Sequence, residues 1–258
     1  MTAKVKRNPK QIGTCLFDCI PQVGPCPMNC NQCFYNRPNA FYTDIKKPLI
    51  PEPETVGDGI VRMNSGNDSC VEKQKVIEVA KRYKNYFFNT SVNDMDFPGP
   101  VVLTVNRDEE RTPARSPVIY APAAVPANLM FVRVKVSISN IGEIVPLICD
   151  WTLADVPVVL TFMRYYEVDA LNYTIKHRNP FVATSVNGDF YEFKKHIINR
   201  YWCMTKETKL AIMKLLEVGK NRLLTTCGTP DSSLCKDCRN CEHYYWITKR
   251  RMYDKEEL

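Results

Sequence analysis

Met130–Asn140 reads MFVRVKVSISN, with Val132, Val134, Val136 and Ile138 alternating with Arg133, Lys135, Ser137 and Ser139. A period of two places successive side chains on opposite faces of a strand. This strand therefore has one apolar and one polar face. In a parallel sheet covered by helices on both sides, both faces would be apolar. A face carrying Arg, Lys and two Ser is expensive to bury dry. It suits the inner wall of a barrel or partial barrel that holds a polar ligand. It also suits an edge strand with one face in solvent.

On either side of this strand the chain alternates strand and helix. Ile12–Cys19, Gly59–Met63 and Tyr86–Val92 read as strands, with an extra one at Pro100–Val105. Cys70–Lys84 reads as a helix opened by a Ser69/Glu72 capping box. Residues 107–128 hold Pro113, Pro117, Pro122 and Pro126, which break any helix and mark a loop or crossover arm. Downstream, Ile141–Asp155 is expected to be a helix and Pro157–Tyr166 a strand. An irregular insertion, 167–205, is expected next, with a tight turn at Asn187-Gly188. Lys206–Gly219 is a helix closed by glycine, and Arg222–Thr226 a final strand. Strands joined by long crossovers predict an α/β fold with a parallel sheet.

The chain has 258 residues, of which 45% are hydrophobic and 24% charged, enough for a sizeable core without disulfide staples. No apolar run is long enough to cross a bilayer, and the basic start, MTAKVKRNPKQ, lacks the apolar stretch of a secretory signal. A cytoplasmic protein without a membrane partner is expected. The charge of +7 is compatible with nucleic acid or acidic peptides without arguing for either. The 12 cysteines are then out of proportion. In a reducing compartment, clustered cysteines read as metal ligands or redox groups. Three histidines are too few for a His-rich zinc site.

Cys26-Pro-Met-Asn-Cys30-Asn-Gln-Cys33 follows the first strand. Three thiolates this close select an iron–sulfur cluster or zinc. Structural zinc takes four ligands, often from paired C-x2-C units, and this loop offers three. On a 4Fe-4S cluster, three thiolates leave one iron open. The C-x3-C-x2-C loop resembles the signature of the radical S-adenosylmethionine (SAM) enzymes. The resemblance implies a partial (β/α)6 barrel of parallel strands over roughly Ile12 to Gly228. It implies a 4Fe-4S cluster on Cys26, Cys30 and Cys33 with SAM chelated at the open iron. One-electron cleavage of SAM then gives a 5′-deoxyadenosyl radical that abstracts hydrogen from a substrate. Gln32 stands where the family commonly has an aromatic residue, while Phe34 and Tyr35 follow and are expected to pack over the cluster. Asn64-Ser65-Gly66-Asn67-Asp68-Ser69 occupies the place of the family's Gly-Gly-Glu segment, which makes Ser65, Gly66, Asn67 and Asp68 candidate SAM contacts. Ser137, Ser139 and Asn140 correspond to the fourth-strand end that meets the SAM ribose and carboxylate. Lys135, Arg133 or Arg164 are candidates to neutralise that carboxylate.

A second group, Cys227, Cys235, Cys238 and Cys241, lies in CGTPDSSLCKDCRNC. Its C-x2-C-x2-C spacing resembles part of a ferredoxin run. Four cysteines close either a second 4Fe-4S cluster or a zinc site. The chain thus divides into a partial-barrel domain, 1–226, with its insertion at 167–205, and a small Cys-rich metal-binding extension, 227–258. Of Cys15, Cys19, Cys70, Cys149 and Cys203, each is by default a buried free cysteine; Cys70 is flagged as a hydrogen-donor thiol at the barrel mouth and Cys203 as a spare ligand candidate.

The insertion and tail mix basic and aromatic residues, among them Lys176, His177, Arg200, Trp202, Tyr245, Trp246 and Arg250. Such mixtures suit nucleic acid, peptide grooves or an ordinary surface. The expected activity is radical SAM chemistry on a peptide or protein, driven by a flavodoxin or ferredoxin-type reductant. The chain length also resembles the glycyl-radical activating enzymes. The alternatives are modification of a nucleic-acid base, or a non-catalytic zinc protein that binds nucleic acid.

Overall fold

The computed structural model describes residues 7–28, 30, 33, 35, 46–105, 120–166, 190–196 and 199–256. In chain order the strands are β1 (Leu16–Cys19), β2 (Ile60–Met63), β3 (Tyr86–Thr90), β4 (Val101–Val105), β5 (Leu129–Val136), β6 (Val158–Phe162), β7 (Arg164–Tyr166), β8 (Tyr191–His196), β9 (Asn199–Met204) and β10 (Leu224–Thr226). The helices are α1 (Pro53–Val56), α2 (Lys73–Ala80), α3 (Ile141–Leu153), α4 (Lys206–Leu215), α5 (Cys235–Cys238) and α6 (Asn240–Glu256). None of the helices among the described residues is long and apolar enough to cross a membrane. The Asn187-Gly188 turn and most of the proline-rich arm, 106–119, lie outside the described residues.

Seven strands form one sheet in the order β1-β2-β3-β4-β5-β6-β10, and every neighbouring pair is parallel. The strand that opened the sequence reading is thus interior, paired with β4 and β6, and the edge-strand alternative is overturned. Right-handed crossovers in an order that never reverses bring the connecting helices to one face. There Val132, Val134 and Val136 of β5 pack with Ile144, Leu147 and Trp151 of α3 and Ile212 of α4. Val61 and Met63 of β2 pack with Val76 and Ala80 of α2.

The opposite face has two tiers. At the strand starts, Leu16, Ile60, Phe87, Val102, Phe131 and Val159 form an apolar tier against Tyr244 and Tyr245 of α6. Two residues further along each strand, on the same face, stand Asp18, Arg62, Asn89, Thr104, Arg133 and Thr161. This polar tier is cross-linked. Arg62 Nε donates to Asp18 Oδ1 (2.8 Å), and Arg133 reaches Asn89 Oδ1 (3.3 Å) and Thr104 Oγ1 (3.4 Å). The C-terminal segment also ties to the β1 edge of the sheet. The Cys15 N–H donates to Glu242 Oε1 (2.7 Å), and the Lys236 side chain lies over Gly13.

Three expectations fail for local reasons. Helix α2 starts at Lys73, without the Ser69/Glu72 capping box: Glu72 is left-handed (φ 52°), and Asp68 accepts the Cys70 N–H, holding the chain in a turn. Strand β5 ends at Val136, not Asn140. Asn140 Oδ1 accepts from Ser137 N (2.8 Å) and its Nδ2 donates to Lys135 O (3.0 Å), folding Ile138–Asn140 into a 3-10 turn. The strand expected over 157–166 is divided at Met163, and β7 leaves for a second sheet.

That second sheet is antiparallel, in the order β7-β9-β8, and its β8 and β9 stand where irregular structure was expected; residues 167–189 of that insertion lie outside the described residues. Side chains two apart share a face. Tyr165, Tyr191 and Met204 join the main core, with the Tyr165 and Tyr191 rings edge-on at 5.5 Å. The Tyr191 hydroxyl accepts the Ile138 N–H (3.2 Å), pinning the small sheet to the loop after β5. Helix α4 ends at Leu215, four residues before Gly219, and Glu217 takes the left-handed turn (φ 54°).

Candidate functional site

Parallel strands send all their exits to one edge, where ligands collect in α/β folds. Here β1 runs into the Cys26 loop, β2 into Asn64–Ser69, β5 into Ser137–Asn140 and β10 into Cys227. Cys26 is buried, while Cys30 and Cys33 are half-buried and joined by the Cys33 N–H to Cys30 O bond (3.1 Å). Tyr35, from the same loop, is buried beside Cys26 and Cys33. Phe34 lies outside the described residues.

The Cys loop and the turn after β2 touch. The Tyr35 ring sits so close to Gly66 that a Cβ there would overlap it. Burial, partly offset by a bond with Asn67, raises the Tyr35 hydroxyl above its ordinary value. Gln22 Nε2 adds bonds to Asp68 O (3.2 Å) and Val71 O (2.7 Å). Gly66→Ala is therefore expected to separate the two loops, at a stability loss of about 1–3 kcal/mol for overpacking. Thermal unfolding checks this, and Gly66→Ala combined with Tyr35→Ala is expected to recover part of the loss.

The candidate SAM-contact residues have structural partners. Asp68 Oδ1 accepts from Cys70 N (3.0 Å) and Thr90 Oγ1 (2.9 Å), and Oδ2 from Ser91 N (2.7 Å) and Ser91 Oγ (2.8 Å). This carboxylate fastens the turn to the end of β3. Ser65 is half-buried, and Asn67 holds a left-handed φ of 68°. Asn64, quoted with this segment but not counted among its candidate contacts, is buried, and its Oδ1 has no partner among the described residues. Ser137 and Asn140 are buried in their mutual cap, and the Ser139 side chain lies outside the described residues. Cys70 lies 3.2 Å from Thr90 Oγ1, and burial pushes it up to about 11, which keeps it a thiol at neutral pH.

The second cysteine group follows β10, with Cys227 near the Arg133 and Arg62 charges of the polar tier. The Cys227 N–H bonds to Leu160 O (2.8 Å). Cys235 and Cys241 pack on the apolar tier beside Tyr244 and Tyr245. The Cys238 thiol donates to Cys227, and Arg133, Lys10 and Arg62 add positive charge around it. Together these hold the Cys227 thiol below its ordinary value against the opposing effect of burial. Burial pushes Cys235 up to about 11 and raises Cys241. Among the described residues, no three His, Cys, Asp or Glu side chains stand in a metal-ligating arrangement. The donor chemistry nevertheless suits a soft metal: four thiols beside three cations that offset the charge of their deprotonated forms.

In the metal-free chain the thiolate is the nucleophile. Iodoacetamide at pH 7 is expected to label Cys227 well before Cys70. Lowering the pH from 8.5 to 7 slows Cys70 roughly in proportion to its vanishing thiolate and Cys227 far less. Peptide mapping of the labelled protein reads both rates.

Sequence reasoning missed Lys10, which lies near Cys227 and Cys235 although distant from them in sequence. Comparison with protein-family models, with curated proteins and with solved structures finds no match for this chain.

Proposed function

We propose that the chain is a radical SAM enzyme whose seven-stranded sheet curls into a partial barrel, with the Cys-rich C-terminal extension carrying a second metal site. The observation that carries this reading is the Cys26-x3-Cys30-x2-Cys33 loop at the exit of β1, packed through Tyr35 against Gly66 in the turn after β2. The curl is supported by the sequential parallel order, by the packing of α2, α3 and α4 on one face, and by the bonds that join the C-terminal segment to the β1 side.

In this reading Cys26, Cys30 and Cys33 hold three irons of a 4Fe-4S cluster. The Ser65–Asp68 backbone faces the SAM amino group, and Asp68 keeps that backbone in place through its four bonds. When bound, cluster and SAM supply a 5′-deoxyadenosyl radical that removes a hydrogen atom from the substrate. Cys227, Cys235, Cys238 and Cys241 hold a second 4Fe-4S cluster or zinc. A flavodoxin or ferredoxin-type protein supplies the electron in the cytoplasm, and the substrate is a peptide or protein. Modification of a nucleic-acid base is the alternative within the same chemistry, and a non-catalytic zinc protein that binds nucleic acid is the rival outside it.

Anaerobic reconstitution with iron and sulfide, reduction and addition of SAM is the test. The expected result is 5′-deoxyadenosine and about eight irons per chain for two 4Fe-4S clusters, or about four if the second site holds zinc. Zinc at both sites with no SAM cleavage overturns the reading.

A further inference from the structure

The helices that cover the sheet differ in what they show to solvent. Helix α2 turns out Gln74, Lys75 and Glu78, the polar face of an ordinary surface helix. Helix α3 turns out Gly142, Val145, Pro146, Cys149 and Leu153, and its one fully exposed charge is Glu143. Val145, Cys149 and Leu153 recur every four residues and so form a stripe along the helix. Leu153 is 87% exposed, and Cys149, expected to be buried, stands in solvent beside it.

The stripe belongs to a larger patch. Among the described residues eleven large apolar side chains are exposed, and five of them gather here: Val145 and Leu153 on α3, Leu210 and Leu215 on α4, and Tyr120. The elements that carry them adjoin. Helices α3 and α4 pack on the same core. Asp155, just after α3, meets Arg222, just before β10, at 3.6 Å. The Ala121 N–H, next to Tyr120, donates to Asp150 of α3. A contiguous apolar patch of this kind marks an interaction site.

The charges identify the partner. Helix α3 carries two acids, Glu143 and Asp150, and no base. Helix α4 carries Lys206, Lys209 and Lys214 against the single acid Glu207. Both helices lead back to the start of a parallel strand, so they run in the same direction. A twofold axis lying between them and parallel to them lays α3 of one copy on α4 of the other, and α4 on α3. The acidic helix then meets the basic one twice, and Leu153 of each copy meets Leu215 of the other at matching ends. A closed twofold contact requires such self-complementarity. A partner of one charge sign would match only half of the face.

We propose that the α3–α4 face is the interface of a homodimer, covered by a second copy of this chain. The proposal is independent of the radical SAM reading, since it uses none of the cysteines of the two groups.

The test is sedimentation velocity of the metal-loaded full chain from submicromolar to hundreds of micromolar concentration. A monomer–dimer equilibrium is expected. Leu153→Glu and Leu215→Glu are each expected to weaken the dimer at least about tenfold. Both side chains already face solvent, so circular dichroism of the variants should match the parent. Cys149 reports the position of the contact: its labelling by iodoacetamide slows as the parent is concentrated, and does not slow in Leu153→Glu. The exposed control Lys84→Gln dimerises as the parent does. A chain that stays monomeric throughout overturns the proposal, whether Cys149 is open or is shielded at every concentration by another segment of the same chain. A dimer unaffected by both substitutions, or Cys149 labelling that ignores concentration, overturns it as well.

Discussion

Cys30→Ala is expected to abolish 5′-deoxyadenosine formation and to remove the iron of one cluster, about four atoms per chain. Cys30 sits in a loop, half-buried, and outside the clusters of core side chains. Losing its sulfur therefore removes little packing and, on the proposed reading, one cluster ligand, and far-UV circular dichroism should match the parent. Iron that remains would belong to the C-terminal cysteines, which makes the variant a direct assay of that site. Cys30→Ala protein that still cleaves SAM at the parental rate would sink the radical SAM reading.

Asp18→Ala is the substitution expected to destabilise the fold most, by about 3–5 kcal/mol, the usual loss when one partner of a buried ion pair is removed. Asp18 keeps only 2% of its side-chain surface exposed and accepts from Arg62 Nε (2.8 Å), Gln11 Nε2 (2.7 Å) and Asn8 Nδ2 (3.2 Å). Without it, Arg62 becomes an uncompensated charge on a tier that already carries Arg133. Urea unfolding measures the loss. Adding Arg62→Met should restore much of it, since an apolar replacement for the whole pair is often tolerated. If Asp18→Ala unfolds at the parental midpoint, the polar tier is not dry, and its role as the wall of a cavity gains at the expense of its role in stability.

The polar tier shows what was legible in the sequence and what was not. In β5 the alternation runs long enough to be read as a two-faced strand, while its place inside the sheet and not at an edge comes from the pairing with β4 and β6. The same step from an apolar to a polar residue occurs in Leu16/Asp18, Ile60/Arg62, Phe87/Asn89, Val102/Thr104 and Val159/Thr161. Strands of four or five residues are too short to display a period alone, so this ring emerges only once the register aligns them. The misplaced start of α2 and end of β5 have one physical cause. Asp68 and Asn140 bond to nearby backbone and divert it from helix and strand, a competition that propensity does not capture. The cysteine spacing is local and can be read from the sequence. Lys10 and Arg62 cannot be read there as neighbours of Cys227, since they come near it only through the fold.

Helix α6 has a consequence for how the protein is made. Tyr244 and Tyr245 complete the apolar tier, and the Tyr245 hydroxyl reaches Asn85 Oδ1 (3.2 Å). The floor beneath the first strands thus comes from residues synthesised 160 positions later. While the ribosome is still translating, Leu16, Ile60, Phe87 and Phe131 have no cover, and the nascent sheet is exposed to aggregation and to chaperones. The apolar tier closes only once α6 has emerged, so this helix sets when the sheet becomes protected.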